Sequence, residues 1–317
     1  MAFGLKLDSL IACQKSCFLF SSKYNLCHNK TCAVYGDILP VTSIITARFS
    51  FLGILLKNAL TSSGVISTSS IQHATPASFY SHVTHRGLYE DISLDMVSSD
   101  IDFFAGGGIK FFNNRKDGKN LLKELETKGF VIDTTQLGSI ENIKQHSKMG
   151  YLLAKNHLEP IAKGRGDYLS KASELGLQFL NKDANNSNFF MMIEGSQIDW
   201  GGHANDADYL ISELIDFDNT IGKVLDFAKK DGNTLVIVTA DHETGGFTLA
   251  STPKVTKEGK KYNDYNDIKG TFSTNGHSAT LIPVFAYGMS NQRFSGIYEN
   301  TEVFTKIMEL VNGKNNQ

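Results

Sequence analysis

Residues 189–203 read FFMMIEGSQIDWGGH, and this stretch decides the fold. Residues 189–193 form a continuous apolar run of strand length. A run without alternation fits a strand covered on both faces, as in a parallel sheet flanked by helices, rather than one stripe of a surface helix. Glu194 is the first residue past it. Asp199 and His203 then stand four apart, which places a carboxylate and an imidazole on one face of a helical turn where both can converge on one ion. An isolated Asp-x3-His is usually an ordinary surface pair. Its place just after a buried strand, beside Gly201 and Gly202, gives it weight.

Toward the carboxyl terminus, residues 207–229 carry Leu210, Leu214, Phe217, Ile221, Val224 and Leu225 at intervals of three and four, the pattern of a long amphipathic helix. Residues 235–238 are a second buried strand, whose end delivers Asp241 and His242. Two separate strands therefore stop at acidic residues, and in open α/β sheets the crevice at the carboxyl ends of the strands is where ligands bind. Residues 282–287 are the last expected strand and 302–311 the last helix. Residues 251–274, rich in Lys, Asp, Asn, Gly and Tyr without a sustained period, are expected to be a surface excursion.

Toward the amino terminus, residues 65–67 and 101–105 read as strands, the second closed by Gly106, Gly107 and Gly108. A helix is expected between Asp117 as N-cap and Gly129 as stop, with Leu121, Leu122 and Leu125 at core spacing. A further helix is expected over residues 168–180. From about Ser63 onward strands and helices alternate, which predicts an α/β fold: a three-layer sandwich with a largely parallel central sheet. The first sixty residues do not share that rhythm. The chain is accordingly divided into residues 1–60, unassigned, and residues 61–317, the core.

Of the 317 residues, 41% are hydrophobic and 20% charged, enough apolar surface for a buried core. A net charge of −2 provides no basic field, so neither a nucleic-acid backbone nor an anionic membrane is indicated as partner, and an anionic ligand needs a local site. No apolar run approaches the ~20 residues of a membrane span. Apolar patches in residues 1–20 are interrupted by Gln14 and Lys15, and no signal peptide is read there. All four cysteines, Cys13, Cys17, Cys27 and Cys32, lie near His28; their spacings match no standard zinc module, and they are read as unpaired thiols.

His277, within TNGHS at 274–278, adds a third imidazole to Asp199, His203, Asp241 and His242. Three histidines and two aspartates are the ligand set for a pair of zinc ions, while Glu194 suits a harder ion. His82, His146 and His157 lie in helical or charged contexts and are given solvated or packing roles.

The runs IEGSQIDWGGHAN (193–205), VIVTADHETGGF (236–247) and SIQHATPASFYSHV (70–83) closely resemble alkaline phosphatases, and the similarity continues from about residue 61 to 317. The pairing of E-G-x2-I-D-x3-H with A-D-H is specific to that family, whereas D-x3-H with D-H alone would admit the wider superfamily of phosphodiesterases and sulfatases. The resemblance implies hydrolysis of small-molecule phosphate monoesters through a phosphoserine intermediate, with Zn2+ and Mg2+ as cofactors. Carried over residue by residue, it implies that Asp199, His203 and His277 hold one zinc and that Asp241 with His242 holds a second. Glu194 and Thr75 match the magnesium ligands, and His73 takes a position behind them that some members fill with Asp. Arg86 matches the arginine that clamps two phosphate oxygens, which a guanidinium does with two parallel donors. Members are usually exported and dimeric; the resemblance thus implies a homodimer, and the compartment is left unassigned.

Two parts of the family pattern find no match. One is a first strand ending in an Asp that bridges the second zinc and the magnesium; the other is the nucleophile in an Asp-Ser-small-small turn. Asp8 and Ser9 are followed by Leu10 and Ile11, and Ser21 and Ser22 lack a preceding Asp. The nucleophile is therefore unassigned, and the second zinc is left with two protein ligands where a stable site uses three or four. A frame disruption or truncation would produce such a junction. Loss of a central first strand is expected to expose sheet edge and core. Rival readings are an inactive metal-binding remnant and a phosphodiesterase of the same superfamily. Glu194 and Thr75 favour the monoesterase, because those diesterases generally lack the magnesium site.

Overall fold

In a computed structural model that describes residues 62–182 and 188–311, and residues 42–48 as backbone, the apolar runs of the sequence become strands. They are β1 (Thr42–Arg48), β2 (Ser62–Ser70), β3 (Phe103–Gly107), β4 (Phe130–Asp133), β5 (Lys148–Leu152), β6 (Phe189–Glu194), β7 (Thr234–Ala240), β8 (Glu243–Thr244), β9 (Thr248–Val255), β10 (Lys261–Thr271), β11 (His277–Ser278) and β12 (Phe285–Tyr287). The helices are α1 (Ala74–Ser78), α2 (Tyr89–Ser98), α3 (Lys110–Asn113), α4 (Leu121–Thr127), α5 (Ile140–Ile143), α6 (Tyr168–Leu180), α7 (Gln197–His203), α8 (Ala207–Asp231) and α9 (Glu302–Val311). None of the described helices is long and apolar enough to cross a membrane. The four cysteines, Asp8, Ser9, Ser21 and Ser22 lie outside the described residues.

Alternate residues of a strand face opposite ways. Ile66, Phe103, Met191 and Ile193 accordingly enter one apolar layer with residues of α6 and α8. Their neighbours Val65, Phe104 and Met192 enter the other, with Ile92, Met96, Phe112, Leu121 and Leu125 of α2, α3 and α4. Both faces of the strands are covered, which is why the strands are apolar without alternation. A smaller cluster of Leu235, Ile237, Phe294, Val303 and Ile307 packs α9 against β7.

The large sheet has the order β12-β7-β1-β6-β2-β3-β5-β4. From β6 to β4 five neighbouring strands are parallel. β1 is antiparallel to both β6 and β7, so β7 runs with the five, and β12 closes the edge antiparallel to β7. The three-layer α/β arrangement agrees with the sequence pattern. An exposed edge beside β6 does not occur: β1 pairs with β6 on one side and β7 on the other, satisfying backbone groups that an absent strand would have orphaned. β1 lies in the segment that shares no rhythm with the rest of the sequence.

Three further expectations are corrected. Glu194 is the last residue of β6 rather than the first past it. Asp117 is not an N-cap; Gly118, at φ 71°, turns the chain before the helix, and Asn120 caps α4 by accepting the Leu122 N–H at 3.1 Å. Asp117 instead pairs with Arg115 at 2.6 Å. Residues 251–274 are on the surface as expected, but most of them belong to the antiparallel β9–β10 hairpin. That hairpin is mostly solvated, so no buried face imposes a period on its sequence.

Helix α8 spans 25 residues between Asp206, which accepts the Tyr209 N–H, and Gly232 at φ 74°. It is clamped to the loop before α6 by Arg165, whose side chain is 1% exposed and lies 2.5 Å from Glu213 and 2.9 Å from Asp216. Glu213 also accepts the Ile161 N–H at 2.9 Å. Removing the cation leaves two buried acids without their counter-charge, so Arg165→Ala is expected to cost about 3–5 kcal/mol in a urea unfolding experiment. A loss under about 1 kcal/mol, the range of solvated surface pairs, would contradict a desolvated clamp.

Candidate metal centre

Two residues, Gly195 and Ser196, separate β6 from α7, so the helix starts directly above the strand end with Asp199 in its first turn and His203 as its last residue. The four-residue spacing places His203 Nε2 3.5 Å from Asp199 Oδ1, as the sequence predicts. β11 pairs with β8, setting His277 opposite Thr244 and close to the end of β7. His277 Nε2 lies 3.2 Å from His203 Nε2, and its ring stacks on that of His242 with centroids 3.5 Å apart. One ligand atom each from Asp199, His203 and His277 falls within 4.8 Å of the others.

The glycines of the run explain how these elements approach. A Cβ on Gly202 would lie 2.8 Å from the Thr244 carbonyl, and one on Gly201 would lie 2.6 Å from the Leu210 nitrogen. Either side chain would push α7 away from β8 or α8.

Hydrogen bonds around the cluster fix how the ligands present themselves. His203 Nδ1 lies 2.7 Å from the Asn275 carbonyl, which can only accept, so the proton sits on Nδ1 and Nε2 keeps its lone pair. His242 Nδ1 lies 3.1 Å from the Glu243 carbonyl, with the same consequence, and its Nε2 is 3.3 Å from Asp241 Oδ2. Thr244 donates its hydroxyl proton to Asp199 Oδ1 at 2.5 Å. Lone pairs of imidazole nitrogens and a carboxylate that converge in this way suit a divalent cation of borderline softness.

A second group of donors lies at the end of β6 and on α1. Glu194 is fully buried. Ser196 donates to its Oε2 at 2.6 Å and itself accepts the Ser69 N–H at 3.2 Å. Glu194 Oε1 and Thr75 Oγ1 are buried without a hydrogen bond among the described residues. Burial pushes the Glu194 carboxyl up to about 8 and the Asp199 charge adds to this, while Ser196, Thr75 and Arg86 draw it down. A carboxylate oxygen and a hydroxyl that lie close together, each short of a well-formed hydrogen bond, suit a hard, oxygen-ligated cation. His73, the N-cap of α1, is buried, and its pKa falls to about 3 through burial, then the charge of Arg86, then His157. Half-exposed Arg86 thus lies within electrostatic reach of both His73 and Glu194. The β1 positions level with the ends of β6 and β7 are Ser43, opposite Glu194, and Thr42, opposite Ala240; neither is an acid.

A family model for alkaline phosphatase matches residues 46–264. The chain belongs to the alkaline phosphatase family. Members of the alkaline phosphatase family are metal-dependent phosphomonoester hydrolases. The chain is 32% identical to alkaline phosphatase 3 of Bacillus subtilis, over 78% of this chain and 67% of the relative. To the alkaline phosphatase of Escherichia coli it is 26% identical, over 79% of this chain and 65% of the relative. The chain thus spans about two thirds of the length of these curated relatives. Among solved structures it resembles the alkaline phosphatase from the Antarctic bacterium TAB5, with 56% identity, a TM-score of 0.76, and coverage of 85% of this chain and 76% of that one. A histidine-to-glutamate mutant of that protein has been solved with Mg bound in its M3 site.

Some residues of the site escape a sequence reading of an alkaline phosphatase pattern. Ser196 and Thr244 lie inside the quoted runs, but nothing in a hydroxyl's identity says that it orients a neighbouring carboxylate. His157, given a solvated or packing role, accepts the Ser70 N–H at 2.9 Å and packs against Trp200 and His73. Its loop position carries no periodic signal.

The Glu194 shift yields a pH dependence. Its folded pKa of about 8 exceeds the ordinary 4.5, so on raising the pH the unfolded chain releases this proton first. The contribution of Glu194 to the stability of the metal-free protein is then fully present below about 4.5, is lost as pH rises toward about 8, and levels off above. The melting temperature of the metal-free wild type is expected to drop over this window by more than that of Glu194→Gln, with magnesium restoring the wild type alone at the upper end. Parallel melting curves for the two proteins across the window would show that Glu194 does not titrate there.

Proposed function

We propose that this chain holds its metals as the sequence pattern implies and uses them on small-molecule phosphate monoesters. Asp199, His203 and His277 hold one zinc, Asp241 and His242 contribute to a second, and Glu194 with Thr75 holds magnesium, with His73 behind it. The observation that carries this reading is the convergence of Asp199, His203 and His277 on one point, with the buried oxygens of Glu194 and Thr75 beside each other and Glu194 within electrostatic reach of Asp199. When bound, these ions supply stabilisation of phosphoryl charge and activation of an oxygen nucleophile. The protein supplies the rest. Arg86 offers two parallel N–H donors to two phosphate oxygens. Ser196 and Thr244 hold the Glu194 and Asp199 carboxylates in fixed orientations. His73 stays neutral and adds no charge beside the guanidinium.

The nucleophile remains unassigned, and the division of the chain at residues 60 and 61 is part of this proposal. A homodimer is the quaternary state that the family resemblance motivates. A second reading, a metal binder without turnover, is favoured by β1: Thr42 and Ser43 are not acids, so among the described residues the second zinc has two ligands, short of a full tetrahedral set.

Hydrolysis of a chromogenic aryl phosphate by the full chain at alkaline pH, with zinc and magnesium supplied and zinc content determined, separates the readings. Turnover abolished by Asp199→Ala is the expected outcome for the hydrolase. About one zinc per chain, lost in Asp199→Ala and unaccompanied by turnover, establishes the metal binder. A wild-type chain that retains no zinc sinks both.

A further inference from the structure

We infer that His157 is a positioning residue: it fixes the ring orientations of His73 and Trp200, and through them the side of the pocket assigned above to magnesium, an extension that rests on that assignment. The loop carrying His157 is pinned against the carboxyl end of β3. Gly108 and Ile109 donate backbone N–H groups to the Ala154 carbonyl at 3.0 and 3.2 Å, and a Cβ on Gly107 would overlap the Asn156 carbonyl. From this anchored loop His157 reaches the end of β2, where its Nδ1 accepts the Ser70 N–H at 2.9 Å. That bond prevents the ring from rotating and leaves its proton on Nε2.

The fixed ring then orders two others. His157 and Trp200 meet edge-to-face with centroids 4.8 Å apart and planes at 74°. His157 and His73 meet at 5.8 Å and 88°, and His73 and Trp200 at 5.8 Å and 73°. In three mutually crossed rings none can turn without moving another. Each of the two partners borders a ligand: His73 precedes Thr75 by two residues on α1, and Trp200 follows Asp199 on α7. His73 Nδ1 is buried without a hydrogen bond among the described residues, so the rings packed on it decide where that acceptor points. A residue whose sequence context gives no hint of function thus joins the two sides of the centre.

Trp200 is the single tryptophan of the chain, so indole fluorescence and near-UV circular dichroism report this contact alone among tryptophans. Two full-length variants divide the roles of His157: His157→Asn keeps an acceptor for Ser70 without the ring, and His157→Phe keeps a ring without the acceptor. Both are expected to lose much of the tryptophan circular dichroism band, with far-UV spectra unchanged. Magnesium affinity, followed by fluorescence titration, is expected to fall about 10-fold in each, the effect of removing a group that orients a metal's surroundings. Wild-type bands and affinities in both variants would overturn the inference, as would a lost band with unchanged magnesium affinity. A wild-type chain indifferent to magnesium would instead sink the assignment of Glu194 and Thr75, and the dichroism of the variants would still decide whether His157 orders the rings.

Discussion

The complete burial of Glu194 at the carboxyl end of β6 is the constraint on which the rest of the centre depends. A carboxylate without solvent is unfavourable unless donors or cations surround it. Here one oxygen takes the Ser196 proton and the other faces Thr75, while Arg86 lies within electrostatic reach. The remaining compensation is a proton, which the pKa raised to about 8 favours, or a bound cation. On the assignment proposed above, a cation bound here relieves that unfavourable electrostatics. A glycine of α7 serves the neighbouring cluster, since α7 sits close enough to β8 for Thr244 to reach Asp199 because Gly202 has no side chain.

The parts of the fold that were legible in the sequence are those with a buried face. α6 and α9 have the expected boundaries, and α8 extends the expected helix by two residues, because an apolar stripe at helical spacing has to meet a core. The β9–β10 hairpin was invisible as structure because its strands are held mainly by pairing with each other, and a solvated hairpin writes no period into its sequence. The capping of α4 was misplaced by three residues because Asp117 and Asn120 are both competent caps, and the choice between them lies in the turn at Gly118 and the pull of Arg115. In the candidate centre, the convergence of Asp199, His203 and His277 was legible from the four-residue spacing and the places of these residues beside strand ends. The groups that orient those ligands were not, since a hydrogen bond to a backbone amide, such as that of His157, leaves no trace in composition or spacing.

β1 shows how topology and chemistry can separate. Its backbone fills the space between β6 and β7 through full ladders on both sides, so the sheet is continuous. Running antiparallel, it begins at the ligand end instead of finishing there. A parallel strand would present its last residue to the crevice along with Glu194 and Ala240; this strand presents its first, Thr42 and Ser43. Sheet continuity depends on backbone groups that every residue has, whereas metal coordination depends on one side chain at one position. A segment can therefore restore the first without supplying the second.

That distinction orders the affinities within the centre. Asp199, His203 and His277 come from α7 and β11, and their orientation is set by Thr244 and Asn275, none of which involves β1. Three oriented protein ligands with an open fourth position are the usual makings of a zinc site that can also take water or substrate. Asp241 and His242 are as well buried, but among the described residues they supply only half of a tetrahedral set. On the proposed assignment the first site is thus the tighter one, and it fills while the second stays weak. In-line displacement at phosphorus gains most when ions flank both the attacking and leaving oxygens, so occupancy of the first site alone gives metal binding with little of the rate. What separates a hydrolase from a metal binder in this fold is accordingly not the cluster that is easiest to recognise but the ligand set beside β1.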